Sequence, residues 1–325
     1  MNETLDSGDE TVIFVTSGYD HTIKFWQAQR GYCERTIQCQ SDTQINCLEL
    51  TNDGKLLAAG CYQNIRVYDA KSGNSNPLIC CNGVQKNVLS VGFEQDSRWM
   101  YSAGEDGFIR VWDFRSRSRG LQCAKCFRID NYINAAVLHP NQAVLYIGSQ
   151  QGKVYCWDLT ANYHEEIGNV EECSIQDLSI DVTGSNLSAV TNRGDLYIWN
   201  VPLKNSINEE TQTIAVEKKI QAHRKYALKC KYSPDGKYLA TTSADGSAKI
   251  WKTSDSSLYT TLCAVPNQRW VWDCAFSSDS RHLMTSSSDN LARVWDLETG
   301  KVRREYDGHQ KAVTCLAFKD RLTSL

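Results

Sequence analysis

The chain has 325 residues and a formal net charge of −3, with 35 basic side chains against 38 acidic ones. Basic residues gather only in isolated pairs such as Lys218-Lys219 and Arg303-Arg304, so the electrostatic footprint of a nucleic-acid binder is missing. The opening residues MNETLDSGDE lack the basic and apolar regions of a signal peptide, and no apolar run approaches the ~20 residues of a membrane-spanning helix, which argues against direct membrane insertion.

After a flexible N-terminus expected over 1–10, the segment VIFVT begins a strand pair that ends in TIKFW at Trp26. Similar pairs follow, with second members NIRVY, FIRVW, KVYCW, DLYIW, SAKIW and LARVW ending at Tyr68, Trp112, Trp157, Trp199, Trp251 and Trp295. Alternating or β-branched runs of this length between Ser, Gly and Asp turns predict strands, and no segment carries a helical apolar stripe. The gaps between the aromatic anchors are 42, 44, 45, 42, 52 and 44 residues, which makes seven units. The long gap holds PLKNSINEETQT, a polar loop from Pro202, and the region 202–218 is expected to be solvated linker. Residues 11–319 are expected to form one array, followed by a tail over 320–325.

The order of Trp295-Asp296, Gly308-His309 and the apolar strand AVTCLAF resembles the WD repeat, whose copies form blades of a β-propeller. The expected fold is therefore all-β, a seven-bladed ring. The chain starts on the second strand of a blade and ends on a first strand. The two ends should complete one blade, with His309 meeting Asp20 and Trp26, and closure would remove the free sheet edges. Six residues before the anchor stand Asp20, Asp106, Asp245 and Asp289, but Tyr62, Gln151 and Arg193 take that place in the second, fourth and fifth copies. In such propellers this Asp joins a hydrogen-bond chain, which the sixth copy would build from His223, Ser243, Asp245 and Trp251. Buried polar groups must be satisfied together, so these residues are structural rather than catalytic.

No phosphate loop, zinc-protease motif, nucleophile elbow or paired Cys-His spacing occurs. The 14 cysteines are scattered through strand patterns and are expected to be free thiols. Cys123-x-x-Cys126 has neither a second pair for zinc nor the βαβ context of a thioredoxin-like motif, so it predicts no metal or redox role. No cofactor and no catalytic activity are expected; an interaction platform in the cytoplasm is.

Its informative positions lie where the repeat leaves residue choice open, at the start of each first strand. They are Gln44 and Asn46, Asn87 and Leu89, Tyr132 and Asn134, Ser174 and Gln176, Tyr226 and Leu228, Trp270 and Trp272, and Ala312 and Thr314. The same face should hold Tyr19, Cys61, Glu105, Gln150, Asn192, Ala244 and Ser288. Trp270 and Trp272 stand out because they are not anchors; either they fill a gap between blades or they form an aromatic hot spot.

Several stretches are longer than a WD motif needs: GYDHTIKFWQA, GVQKNVLSVGF, LHPNQA, AHRKYALKCKYSPD, WVWDCAFSSDS and SSDNLARVWDLETG with REYDGHQKAV. Together they resemble the G-protein-β-subunit-like, lethal-with-sec-thirteen family of the target of rapamycin (TOR) kinase complexes. The resemblance implies a non-catalytic subunit of TOR complexes 1 and 2, docked on an insertion in the kinase C-lobe. Such a subunit would support kinase activity in nutrient and growth signalling, with raptor and rictor as companions, and any recruitment to lysosomal membrane would run through partners. The docking residues would be Gln44, Asn46, Asn87, Tyr132, Gln176, Tyr226, Trp270 and Trp272, with Asn46 and Trp272 foremost. Trp112-Asp113-Phe114-Arg115 alternatively resembles the WDxR box of cullin-4 ubiquitin ligase receptors, although the repeat itself already demands the Trp and Asp. A heterotrimeric G-protein β subunit is disfavoured, since no coiled-coil heptads precede the first blade.

Overall fold

A computed structural model describes residues 12–39, 44–115, 121–201, 214–264 and 268–320. The expected boundaries at 1–10 and most of 320–325 lie outside these residues. So does most of the 202–218 loop, whose end joins the strand Val216–Gln221.

The described residues form 28 strands and no helix, arranged as seven four-stranded antiparallel sheets. Six sheets take four consecutive strands each. The remaining one, blade 1, combines the C-terminal strand Val313–Lys319 with Ile13–Gly18, Thr22–Trp26 and Cys33–Gln38. The innermost strands of blades 2 to 7 are Ile45–Leu50, Val88–Phe93, Ile133–Leu138, Ile175–Ile180, Ala227–Tyr232 and Val271–Phe276. Each packs against the innermost strand of the next blade, and the series returns to Val313–Lys319. The ring is closed as the sequence predicts, through Phe14 opposite Phe318 and Thr16 opposite Leu316.

Apolar side chains on both faces of the second strands fill the spaces between blades. One such layer joins blades 1 and 2 through Val15, Ile23, Leu48, Leu57 and Tyr68; another joins blades 7 and 1 through Phe14, Trp26, Met284 and Tyr306. Tyr306 also donates its hydroxyl to the Ala28 carbonyl at 2.6 Å, so the seam is pinned by polar as well as apolar contact.

The repeat is regular at the backbone level. Five residues before every anchor the chain turns through the left-handed region, at His21, Gln63, Gly107, Gly152, Gly194, Gly246 and Asn290. At Gly107 a Cβ would stand 2.6 Å from the Ile129 carbonyl oxygen, so both conformation and space favour glycine there. Blade 2 departs from this regularity. Its hairpin pairs Gly60 with Ile65, whereas blade 3 pairs Ala103 with Ile109, so blade 2 lacks one turn residue.

That deletion corrects one expectation. Cys61 pairs with Ile45, as Gly18 pairs with Val313, and it is buried. Tyr62, 47% exposed, takes the place that Tyr19 holds in blade 1, and the position of the turn aspartate is the one lost.

Candidate protein-binding site

One end of the ring is built from the residues just before each innermost strand and from the turns between second and third strands. Backbone hydrogen bonds tie the two sets together: Tyr19 N–H to Ala312, Glu105 to Asn87, Gln150 to Tyr132, Asn192 to Ser174, Ala244 to Tyr226 and Ser288 to Trp270, at 2.9–3.0 Å. In these six blades the sequence-predicted positions therefore share a face.

All seven innermost strands carry a bulge at the same place. In blade 7, Val271 pairs with Ser287 and Asp273 with Ser286, which leaves Trp272 without a Cα partner. The corresponding extra residues are Asn46, Leu89, Asn134, Gln176, Leu228 and Thr314. A bulge re-aims its side chain and sharpens the local twist. Here it gives each blade one side chain, free of pairing constraints, at the channel mouth.

These side chains are linked laterally. Asn46 donates to Asn87 Oδ1 at 3.4 Å, and Asn87 donates to Glu105 Oε2 at 3.0 Å. Gln176 and Asn134 both donate to the Ser174 hydroxyl at 3.0 Å. Lys86 lies over the ring of Tyr132, 4.6 Å from its centroid. Gln44, like Asn46, is half-buried.

The two tryptophans separate in character. Trp272 donates its indole N–H to Ser288 Oγ at 2.6 Å and meets Tyr19 of blade 1 edge-to-face, so it bridges adjacent blades. Trp270 leans on Trp272 with ring centroids 5.2 Å apart and remains 40% exposed. Tyr226, on blade 6, is 53% exposed. Between blades 6 and 7, beside Trp270, is a cleft of about 360 Å³ lined by Lys225, Ala244, Arg269 and Ser288.

The structural networks hold this face in shape. At the seam, His309 Nδ1 meets Asp20 Oδ2 at 2.8 Å and His309 Nε2 meets Thr16 Oγ1 at 2.7 Å; Trp26 Nε1 donates to the same hydroxyl at 2.7 Å. Burial alone would raise the Asp20 carboxyl. Hydrogen bonding and charge from His309, with the Thr22 and Gln310 donors, outweigh it and hold the group well below the usual carboxylate range. Blade 6 repeats the arrangement, with His223 on Asp245 at 3.0 Å.

The hydroxyl in the blade 6 chain is Thr241, not Ser243. Thr241 accepts the Trp251 indole at 3.0 Å and meets His223 Nε2 at 2.9 Å. Ser243 sits at the strand end, bonded to the Tyr226 carbonyl and the Asp245 amide, too close to the turn to reach the anchor. The acceptor stands ten residues before the tryptophan in four blades, as Thr16, Ser102, Thr241 and Thr285. Blade 5 has Ala189 there, and the buried Trp199 indole N–H has no partner.

Sequence reasoning missed a substitution for the histidine. In blade 3, Val84 occupies that place, and Asp106 instead pairs with the nearly buried Arg110 at 2.8 Å. In blade 7, Arg293 pairs with Asp289 at 2.7 Å. Both arginines stand two residues before an anchor, where Trp26 and Trp251 are preceded by lysines. That contrast is the signal.

Behind the mouth runs a central channel holding a cavity of about 530 Å³. Lys229 and Lys231 face Asp177, Asp273 and Glu49 there, with Lys229 and Asp177 3.2 Å apart. Burial would lower the Lys229 ammonium, but Asp177 and Asp273 hold it well above its ordinary value. Asp177 and Asp273 also accept the backbone N–H of Cys230 and Leu316 in the following blades, each at 3.0 Å. The charges are thus committed to one another and to the ring. Among the described residues no group of three metal-ligating side chains is placed to hold an ion.

A closed ring of seven four-stranded blades, with Trp–Thr–His–Asp chains at its seam and in blade 6, defines a WD-repeat propeller. The WD domain, G-beta repeat family matches residues 31–69, 75–113, 215–252 and 258–296. The chain is 51% identical over 319 residues to the target of rapamycin complex subunit LST8 of Bos taurus, covering 96% of each protein. Its Saccharomyces cerevisiae counterpart is 43% identical over 312 residues, 95% of this chain and 99% of that one. The subunit LST8-1 of Arabidopsis thaliana is 40% identical over 261 residues, 80% and 82% respectively. The chain belongs to the LST8 family.

Proposed function

We propose that this chain is a non-catalytic subunit of TOR complexes 1 and 2, docked through its channel-mouth face on the catalytic region of the TOR kinase. The observation that carries the proposal is the similarity, across nearly the whole ring, to relatives named as TOR complex subunits. In this proposal the kinase contributes an insertion of its C-lobe, raptor and rictor complete the respective complexes, and the subunit supports kinase output in nutrient and growth signalling. It works in the cytoplasm and reaches lysosomal membrane through these partners.

The composition of the face supports a protein partner. Trp270, Tyr226, Tyr132 and Tyr62 supply exposed rings, and Gln44, Asn46, Asn87 and Gln176 supply adaptable hydrogen bonds. Aromatic anchors inside a polar rim are the usual energetic centre of such interfaces. The cullin-4 alternative has less support: Arg115 folds back on Asp113, with Nε 3.0 Å from both carboxylate oxygens.

Affinity capture of the tagged chain, with bound proteins identified by mass spectrometry, tests the reading. Recovery of TOR kinase supports it; recovery of a ligase adaptor without the kinase would overturn it.

A further inference from the structure

In five blades the outer strand meets its anchor strand through a second register shift at the anchor. In blade 1, Arg35 faces Phe25 and Cys33 faces Trp26, so Glu34 is the extra residue. Blades 5, 6 and 7 repeat this shift at their tryptophans. In blade 3, Lys125 faces Val111 and Cys123 faces Trp112, which makes Ala124 the extra residue.

The shift changes what Cys-x-x-Cys means in a strand. Residues three apart on a regular strand point to opposite faces and lie about 10 Å apart. Here Cys123 and Cys126 oppose Trp112 and Arg110, which are two apart and on one face. The partners they face span about 6.6 Å at a rise of ~3.3 Å per residue. That falls inside the span of ~4.4–6.8 Å that a disulfide bridges. Blade 1 shows how side chains meet at these positions: Cys33 Sγ and Thr36 Oγ1 are 3.3 Å apart.

Both cysteines are exposed, on the outermost strand of their sheet. Cys123 donates its thiol to the Lys125 carbonyl at 3.1 Å. Partial burial of its sulfur, then the neighbouring Cys126 thiol, push Cys123 up from its ordinary value. The Cys123 thiol hydrogen is already engaged by that carbonyl, so Cys126 supplies the attacking sulfur.

We propose that Cys123 and Cys126 are a reversible dithiol–disulfide pair on the edge of blade 3, oxidised by a small-molecule disulfide of the glutathione type. The Cys126 thiolate attacks one sulfur of the oxidant, forming a mixed disulfide and expelling one glutathione thiolate, which takes up a proton. Cys123 then loses its proton and attacks the Cys126 sulfur. The intrachain S–S bond forms as the second glutathione leaves. Two electrons pass to the oxidant, and one disulfide becomes two thiols. A ring enclosing only Ala124 and Lys125, open to solvent, is readily reduced again, as a switching pair requires.

The test uses the full chain, equilibrated in glutathione buffers of rising oxidised fraction, acid-quenched, alkylated and digested with trypsin. Cleavage after Arg119, Lys125 and Arg128 puts the two thiols on separate peptides, 120–125 and 126–128, which only the disulfide joins. The expected result is that both peptides lose alkylation together and reappear as one linked species, lighter by two hydrogens than the pair and restored to thiols by dithiothreitol. With Cys123→Ser, Cys126 should instead accumulate as its glutathione adduct. Separate adducts on both cysteines of the unmodified chain without any linked peptide, or full alkylation at every ratio, would overturn the proposal.

Discussion

Replacing Asp20 by alanine removes the acceptor at the centre of the seam. In the folded ring its carboxylate meets His309 Nδ1 at 2.8 Å and takes the Gln310 N–H at 3.0 Å, the Thr22 N–H at 3.1 Å and the Thr22 hydroxyl at 2.8 Å. Its side chain is 7% exposed, so water replaces few of these bonds. Breaking one side of a buried, hydrogen-bonded pair costs about 3–5 kcal/mol. A ring of about 300 residues unfolds with an entropy near 0.6 kcal/mol per kelvin, so the midpoint should fall by about 5–8 °C. Scanning calorimetry at neutral pH measures this directly, with Asp255→Ala, on an exposed turn, expected to stay within about 0.5 kcal/mol of the parent. Because the folded carboxyl is held below its unfolded value, the stabilisation is complete above the unfolded value near 4 and is lost as pH falls further. The gap between parent and variant should therefore close only below about pH 4. An Asp20→Ala melt superimposed on the parent at pH 7 would refute the assignment.

The orphaned indole in blade 5 makes the opposite prediction. Ala189→Ser supplies the missing acceptor to Trp199 and should stabilise the ring by about 0.5–1.5 kcal/mol, read as a higher midpoint in urea; a lower midpoint would show that the site has no room for the hydroxyl. Arg110→Ala leaves the Asp106 carboxylate buried without its cation, at a cost of about 3–5 kcal/mol in the same titration. Truncating the chain so that it ends at Val313 removes most of the strand paired with Ile13–Gly18 and should destabilise the whole ring; an unchanged melting temperature would contradict the closure. On the binding face, Trp270→Ala should weaken capture of the kinase by at least ~2 kcal/mol, about 30-fold in Kd, while the melt stays unchanged. Trp272→Ala should weaken binding too, and lower the melt slightly through the lost contacts to Ser288 and Tyr19.

The ring was legible because it is written seven times. Anchors such as Trp26 and Trp295 fix the register by comparison with one another, and the incomplete first blade leads directly to His309. The spacing of ten between hydroxyl and indole was also visible, in Thr16 with Trp26 and Thr285 with Trp295, and would have chosen Thr241 over Ser243. The bulges were not legible. Asn46, Leu89 and Trp272 share no chemistry, because the bulge is a property of backbone pairing and sets no requirement on the side chain. The missing turn residue of blade 2 is hidden for a related reason: counting back from Tyr68 assumes equal hairpins and puts Cys61 in the place that Tyr62 holds. The division of labour between Trp270 and Trp272 depends on Ser288 and Tyr19, which come from other strands, and one on another blade.

Joining the two ends of the chain in one blade has a consequence for biosynthesis. The strand Ile13–Gly18 has its inner neighbour, Val313–Lys319, some 300 residues downstream. At about 5–20 residues per second a ribosome takes roughly 15–60 s to cover that distance. Throughout this interval the nascent chain carries an unpaired, largely apolar strand edge, the kind of template on which other chains can add. Local hairpins can form as they emerge, but the molecule stays open until its last strand is free. Demand for chaperones should therefore last until Val313–Lys319 can pair with Ile13–Gly18 and close the ring.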